Sequence, residues 1–312
     1  MLAHVLNILD LLDRPDASGE AVADHLRSLA PDLDVHIEHV DGEDGSTDFV
    51  KLLVPGSRGK SSGGDAPTLG VIGRHGGSGA RPTRIGYVSD GDGASATLAA
   101  ACKLAAMHTL GDRLDGDVIL ATHVCPDAPT RPHQPVEFMS SPVSMQVMNR
   151  HEVDAAMDAI VSIDTTRGNR IVNHRGVAIT PTVMQGWVLP VADDAIAIYE
   201  RVCGIPAVVL PLSMQDVTPY GNGVFHVNSI LQPATETDAP VIGLAITAAT
   251  VVAGSATGAS HETDVALAAR YAVEWGKDLG RDRASMVDRD EFARLVELYG
   301  DMRHLQTMGA TE

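Results

Sequence analysis

The sequence is poor in cysteine and in positive charge. Three cysteines in 312 residues are too few and too scattered for a disulfide framework, and no CxxC zinc spacing occurs. Lysine and arginine total 23 against 41 aspartates and glutamates, which gives a formal net charge of −18. Nucleic-acid binding needs a basic face that displaces counterions, so we expect no nucleic-acid partner.

Long apolar runs are also missing. No uninterrupted run approaches the roughly 18 residues that a membrane-spanning helix needs, so we expect no membrane partner. The first six residues lack the charged start and cleavage site of a signal peptide, which together with the few cysteines favours a cytoplasmic location. The 44% hydrophobic content suffices for one large core, and we expect a single α/β domain over residues 1–312.

Apolar periodicity outlines the ends of this domain. Leucines and valines at helical spacing predict helices within residues 1–32, and strand-like segments at 34–40 and 47–54 predict a hairpin. Glycine and serine predict a flexible loop at 56–67. After a terminal helix, residues 306–312 are expected to form a frayed tail.

The centre of the chain alternates strands with helices. A strand, a glycine turn, an alanine-rich helix and a further strand form a βαβ unit, which favours a parallel pair. The predicted fold is a three-layer α/β structure, a mixed and mostly parallel sheet flanked by helices. Strands are expected at 69–73, 85–89, 117–122, 155–163, 206–212 and 241–247, with helices at 94–110 and 262–279.

Acidic or histidine-bearing segments stand where apolar segments end. The carboxyl ends of strands in an open α/β sheet share one edge, so such residues can converge on a single ligand or metal. Two carboxylates share a cation only if its charge offsets their repulsion, and imidazole is a common metal ligand. The sequence therefore predicts a site for a divalent metal, with zinc first and manganese or cobalt as alternatives. The candidate ligands are Asp90, Asp92, His123, Asp164 and His261.

Each of these residues also has a purely structural interpretation. Asp90 and Asp92 could only cap the helix that follows them, and His261 could do the same for its own helix. Asp164 could be satisfied by the hydroxyl of Thr165 or Thr166, and His123 could be a core histidine. The joint placement of the four segments favours the metal site.

The sequence signals for other kinds of site are weaker. The segment with Asp216, Tyr220 and Asn222 has turn chemistry and is a candidate substrate loop. The sequence has no GxSxG, P-loop, HExxH or GxGxxG motif. A cysteine nucleophile at Cys125 beside His123 remains an alternative. His75, in a glycine-rich stretch, is left outside the predicted ligand set.

Five segments carry a resemblance to a known family. The chain resembles the bacterial domain-of-unknown-function family 1177 over nearly its whole length, which gives a family without a reaction. The segments are Asp90 to Ala94, Gly116 to Pro126, Ser162 to Thr166, Gln215 to Gly223 and Asn228 to Pro233.

The order of these elements is also similar to that of the co-catalytic zinc aminopeptidases and carboxypeptidases. That resemblance implies that Asp90 or Asp92 bridges two metals, that Asp164 is a terminal ligand and that His261 is the distal ligand. Two metals would activate a water for attack on an amide. The chain departs from the pattern at the Glu-Glu pair, in whose place stands the segment His123 to Asp127, and it has no secure counterpart of the upstream histidine ligand.

The sequence thus predicts a metal-dependent hydrolase of a small amide or peptide-like substrate. His123 and Asp127 are the candidate catalytic residues, Asp127 as a ligand or proton carrier. Two alternatives stay open: a metal-independent hydrolase or lyase that uses His123 and the carboxylates as acid and base, and a non-catalytic small-molecule sensor or accessory protein. We expect a small-molecule partner and a homo-oligomer.

Overall fold

The computed structural model describes residues 1–169 and 171–309. The N-terminal part forms two helices, α1 (Leu2–Leu12) and α2 (Gly19–Leu29), which precede an antiparallel hairpin of β1 (Val35–Gly42) and β2 (Gly45–Val54). Ser18 begins α2 because its side chain accepts a hydrogen bond from the amide of Ala21.

The main sheet has eight strands in the order β1-β2-β4-β3-β7-β10-β8-β9. Its four central strands are parallel, and antiparallel strands flank them on both sides. Every residue of β3, β4 and β10 is buried, as expected where helices or loops cover both faces of a parallel sheet. The central strands are β3 (Leu69–Gly73), β4 (Val118–Val124), β7 (Ala159–Arg167) and β10 (Val241–Ala248), and β8 (Gly176–Met184) and β9 (Trp187–Val188) lie beyond β10.

Helices cover one face of the sheet around the alanine-rich α3 (Asp92–Thr109). The helix α6 (Glu262–Leu279) packs on α3, and α5 (Asp193–Cys203) packs on α6. The other face carries α4 (Met145–Glu152) and the loop between α5 and β10. A short hairpin, β5 (Thr130–Arg131) with β6 (Phe138–Met139), follows β4, and α7 (Arg289–Tyr299) follows α6. The predicted three-layer α/β fold with a mixed, mostly parallel sheet is confirmed.

Two predicted strands are wrong. Residues 85–89 and 206–212 form only isolated bridges, which are Tyr87 with Gly79, Val88 with Thr257 and Val209 with Ile179. Ser89 already begins a 3₁₀ turn, and Pro206 and Pro211 lack the amide donor that a ladder needs, so neither segment extends its pairing. Residues 60–62, in the segment predicted as a flexible loop, form a 3₁₀ turn. Residues 303–306 form another, and the end of the expected tail, residues 310–312, lies outside the described residues. None of the helices in the described ranges is long and apolar enough to cross a membrane.

Candidate active site

Polar residues gather where the parallel strands end, which we call the carboxyl edge. The chain leaves β3 at Arg74 and His75, and β4 carries His123 at its end. Because β3, β4 and β7 run parallel, the sheet brings these residues to the same edge as Asp164 of β7. Asp90 and Asp92 reach it from the turn before α3 and the first residue of that helix.

Asp164 is a buried carboxylate that accepts hydrogen bonds from uncharged donors. Its Oδ1 accepts from the amide of Thr165 at 2.7 Å, and its Oδ2 accepts from the hydroxyl of Ser229 at 3.1 Å. The side chain is 5% exposed. Burial, and then the nearby charge of Asp90, raise the pKa of Asp164 to about 7.

Asp90 lies in a gap that glycines leave open. The amide of Gly76 donates to its Oδ2. A Cβ added to Gly76 would lie 3.0 Å from that oxygen, and one on Gly254 would lie 3.2 Å from Oδ1, so both glycines permit the close approach. Burial raises the pKa of Asp90 to about 6, although hydrogen bonds from the amides of Gly76 and Gly77 oppose the shift. We call Asp90 and Asp164 the acid pair.

The negative charge of Asp92, by contrast, is balanced by Arg167. Arg167 donates to its Oδ2, and the hydroxyl of Ser260 donates to its Oδ1 at 2.5 Å. Both partners of the Arg167–Asp92 ion pair are buried. Burial raises the pKa of Asp92 to about 7 against the opposing charge of Arg167. Of the two turn aspartates, Asp90 is therefore the one without an ion-pair partner among the described residues.

His123 belongs to a buried triad with Glu152 and Arg74. Its Nδ1 lies 2.9 Å from Oε1 of Glu152, while Arg74 donates to the other oxygen of that carboxylate. His123 and Glu152 are both 0% exposed. The Nε2 of His123 is buried and has no hydrogen-bond partner in the part of the chain that the structure describes.

His75 stacks on His123. The ring centroids are 3.9 Å apart and the rings are inclined by 13°. Its Nε2 lies 2.5 Å from the backbone carbonyl oxygen of His123 and must donate, because a carbonyl only accepts. Burial, with a smaller contribution from His123, holds the pKa of His75 well below its usual range. His75 therefore carries a neutral ring whose buried Nδ1 lacks a partner within the described residues.

The predicted substrate loop has one residue that faces the acid pair. Burial, followed by the charges of Asp164 and Asp90, raises the pKa of Tyr220, whose ring packs on Phe138 with centroids 6.2 Å apart. Asn222 binds inside the loop to Thr218. Asp216 is 0% exposed and accepts from Ser213, Val227 and Asn228, so its carboxylate holds the loop together.

The remaining predicted residues lie around the centre. His261 is the N-cap residue of α6, next to Ser260, and its side chain makes no capping hydrogen bond. Asp127 is exposed beyond β4, and its Oδ1 is 3.4 Å from the Sγ of Cys125. Burial raises the pKa of Cys125 to about 12, so its thiol stays protonated at neutral pH, which does not favour the cysteine-nucleophile alternative.

The structure thus brings Asp90, Asp164, His123 and Asp92 to one edge, and it adds residues that sequence reasoning missed. Arg74, Glu152 and Arg167 neutralise or orient the predicted residues, yet no strand-end pattern marks Glu152, which lies at the end of a helix. The placement of His75 directly after β3 was a usable signal. Over residues 1–169 and 171–309, no three histidine, cysteine, aspartate or glutamate side chains are arranged around a single point as metal ligands.

Comparison with known proteins identifies the family. The family described as proteins of unknown function, DUF1177, matches residues 38–309. The chain belongs to this family. A search of curated proteins found no match to the sequence.

Solved structures share the fold. The bottromycin maturation enzyme BotP superposes with a TM-score of 0.53 at 17% identity, over 88% of this chain and 69% of the enzyme. A mutant of tomato leucine aminopeptidase superposes with a TM-score of 0.53 at 12% identity, over 87% of this chain. This chain spans only 60% of the tomato enzyme's length. The likeness shows a peptidase-like α/β fold.

Proposed function

We propose that this protein is a metal-dependent hydrolase of a small amide or peptide-like substrate, with its reaction centre at the acid pair. One observation carries the proposal. Of the buried acids at the carboxyl edge, Asp92 and Glu152 each contact an arginine, whereas no described basic side chain lies within ion-pair distance of Asp90 or Asp164. Two such charges at one buried place call for a cation or for protons.

The donor set suits a divalent cation in its chemistry. Carboxylate oxygens of the acid pair and an unpartnered imidazole nitrogen, from His75 or His123, are ligands that zinc, manganese and cobalt accept. Asp92 and His261 were also predicted as ligands, but Asp92 already forms an ion pair with Arg167. When bound, the metal would lower the pKa of a water and polarise the amide carbonyl.

The protein's own side chains supply the remaining functions. With His75 as the imidazole ligand, the Nε2 of His123 keeps its lone pair and accepts a proton from the attacking water, a role that the absent Glu-Glu pair would otherwise take. Tyr220 and Phe138 form an aromatic wall beside the acid pair, against which the substrate lies. The net negative charge of the acid pair favours a substrate with a free amino group. Asp127, exposed at the rim, passes protons to solvent.

The raised pKa values also favour a second candidate, metal-independent acid–base hydrolysis. Burial raises the pKa of both carboxyls, to about 7 for Asp164 and about 6 for Asp90, so the pair can hold a proton near neutral pH. One acid and one base at the same place can divide the two proton transfers between them.

Metal analysis separates the two candidates. We expect one or two equivalents of zinc, manganese or cobalt in protein purified without chelator, lost in Asp164→Ala and Asp90→Ala. Asp158→Asn is the matched control, because Asp158 lies at the opposite edge of the sheet with Lys60 as its partner. Hydrolysis of an aminoacyl anilide panel should stop with chelator and return with metal. No bound metal after incubation with zinc or manganese, with activity unchanged by chelator, would overturn the metal-dependent proposal.

A further inference from the structure

We infer that Glu152 and Arg74 are positioning residues that hold His123 in one tautomer, with the proton on Nδ1 and the lone pair on Nε2. The inference rests on the proposed function only for what Nε2 does, namely accept a proton or bind a metal. The orientation itself follows from hydrogen-bond chemistry alone.

Arg74 determines that the carboxylate of Glu152 acts as a hydrogen-bond acceptor. A guanidinium has donors only, so the carboxylate oxygen that it contacts must accept. The contact is buried, and Arg74 is 2% exposed. As the anion of this ion pair, the carboxylate has only acceptor oxygens and no proton to give to a neighbour.

Glu152 in turn fixes the position of the proton on the His123 ring. Its Oε1, 2.9 Å from Nδ1 of His123, can only accept, so Nδ1 carries the proton. In a neutral imidazole the other nitrogen is then the acceptor. That nitrogen is the buried Nε2, which finds no partner in residues 1–169 and 171–309. Packing between Phe49 and His75 holds the ring plane in place, since their centroids lie 5.4 Å and 3.9 Å from that of His123.

Two other histidines have the opposite arrangement. His75 donates from Nε2 to a backbone carbonyl. His108 contacts Asp32 through Nε2 at 2.8 Å, and its Nδ1 is buried without a partner among the described residues. Both should carry the proton on Nε2. A ¹⁵N spectrum of the histidine side chains of the wild-type protein, with neither substrate nor metal, therefore has internal references.

The spectrum tests the inference directly. At pH 8 we expect a protonated Nδ1 and an unprotonated Nε2 for His123, assigned by the loss of its signals in His123→Asn, and the reverse for His75 and His108. A protonated Nε2 on His123 in the wild-type protein would overturn the inference. Because no substrate or metal takes part, this result is independent of whether the protein hydrolyses anything.

The conservative variant Glu152→Gln sharpens the test. Arg74 must face the amide oxygen of the new side chain, which turns the NH₂ group toward Nδ1 of His123. The proton should then move to Nε2. In the double variant Arg74→Met Glu152→Gln, the amide is free to turn, and part of the Nδ1-protonated signal should return. An unchanged tautomer in Glu152→Gln would contradict the positioning role.

Activity provides a second readout once a substrate is found. Loss of a general base costs on the order of 10²–10⁴-fold in rate. We expect Glu152→Gln to lower kcat by this order with KM nearly unchanged, and the double variant to recover part of the loss. Equal losses in both variants would show a merely structural role for the pair.

Discussion

The two edges of the central sheet both carry aspartates, but they use them differently. At the amino edge, before β4, the buried Asp117 accepts from the amides of Gly56 and Ser61 and from the Ser61 hydroxyl, at 2.7–2.8 Å. Asp158, before β7, pairs with Lys60 and accepts from the amide of Thr68. At the carboxyl edge, Asp90 and Asp164 accept only from backbone or hydroxyl donors, and no basic side chain within residues 1–169 and 171–309 pairs with them.

This difference separates acids that fold the chain from acids that are available for chemistry. Asp117 holds the 56–62 loop against the sheet, so its hydrogen-bond capacity is used internally. The acid pair retains uncompensated charge in a buried place, which is costly for stability and is therefore a sign of function. A cavity of about 480 Å³ lies at the amino edge, lined by residues such as Asp158, Pro240 and Arg283. This cavity lies away from the acid pair, whose chemistry carries the proposed site.

The largest expected effect is on activity at the carboxyl edge. Asp164→Asn should lower kcat/KM by at least about 1,000-fold, because a bound metal contributes several kcal/mol to the transition state. The measurement is hydrolysis of the aminoacyl anilide panel together with metal content. Asp117→Asn should retain both. Full activity in Asp164→Asn would remove the functional distinction between the two edges.

The next effect is on stability at the amino edge. Asp117→Asn places a donor against the donors of the 56–62 loop, so the free energy of unfolding should fall by about 2–3 kcal/mol. Urea denaturation measures it, with Asp164→Asn as the comparison. Because that variant removes an uncompensated charge, it should leave stability unchanged or raise it. A larger loss in Asp164→Asn than in Asp117→Asn would contradict this comparison.

The pH dependence of stability should reflect the carboxyl edge. The pKa values of Asp90, Asp92 and Asp164 are about 6, 7 and 7 in the folded protein, above the ordinary 3.8. The folded state then binds more protons than the unfolded chain, so these groups make the free energy of unfolding fall as pH rises from about 4 to 7. Thermal melts of chelator-treated protein should show this fall, and Asp164→Asn should reduce it. A rise attributable to Asp164 over the same range would refute the assignment.

The smallest effect concerns the exposed ion pair. Lys60, 46% exposed, contacts Asp158 at 2.6 Å. Exposed pairs contribute little, so Lys60→Ala should change the free energy of unfolding by no more than about 1 kcal/mol, without effect on metal content. Chemical denaturation in low and high salt measures the difference. A loss comparable to that of Asp117→Asn would mean that the exposed pair holds the loop as strongly as Asp117 does.

Much of the fold was predictable because its strongest periodic signals are local. The hairpin, the helices α3 and α6, and strands β3 and β10 lie close to their predicted bounds. The helices α4 and α5 and strand β8 were not predicted. Residues 85–89 and 206–212 have the composition of strands, but in the structure they form only isolated bridges.

The site was predictable only in part, for a similar reason. A strand end places Asp164 and His123 at a known edge, so a sequence pattern can find them. Glu152 and Arg167 act through contacts with residues 29 and 75 positions away, and nothing in their local sequence indicates those partners. The distinction between Asp90 and Asp92 likewise depends on Arg167, which only the structure brings to Asp92. Whether any of these residues binds a metal stays a prediction.

The ring-proton positions of the stacked His75 and His123 differ in how easily a substitution can change them. The acceptor for His75 is a main-chain carbonyl, which every amino acid at position 123 would still supply. The acceptor for His123 is a side chain, which a single codon change in Glu152 can replace. Over evolutionary time, the proton position on His75 is therefore fixed by the fold, whereas that on His123 is open to selection. Related proteins that acquired a different reaction would be expected to differ first at positions 74 and 152.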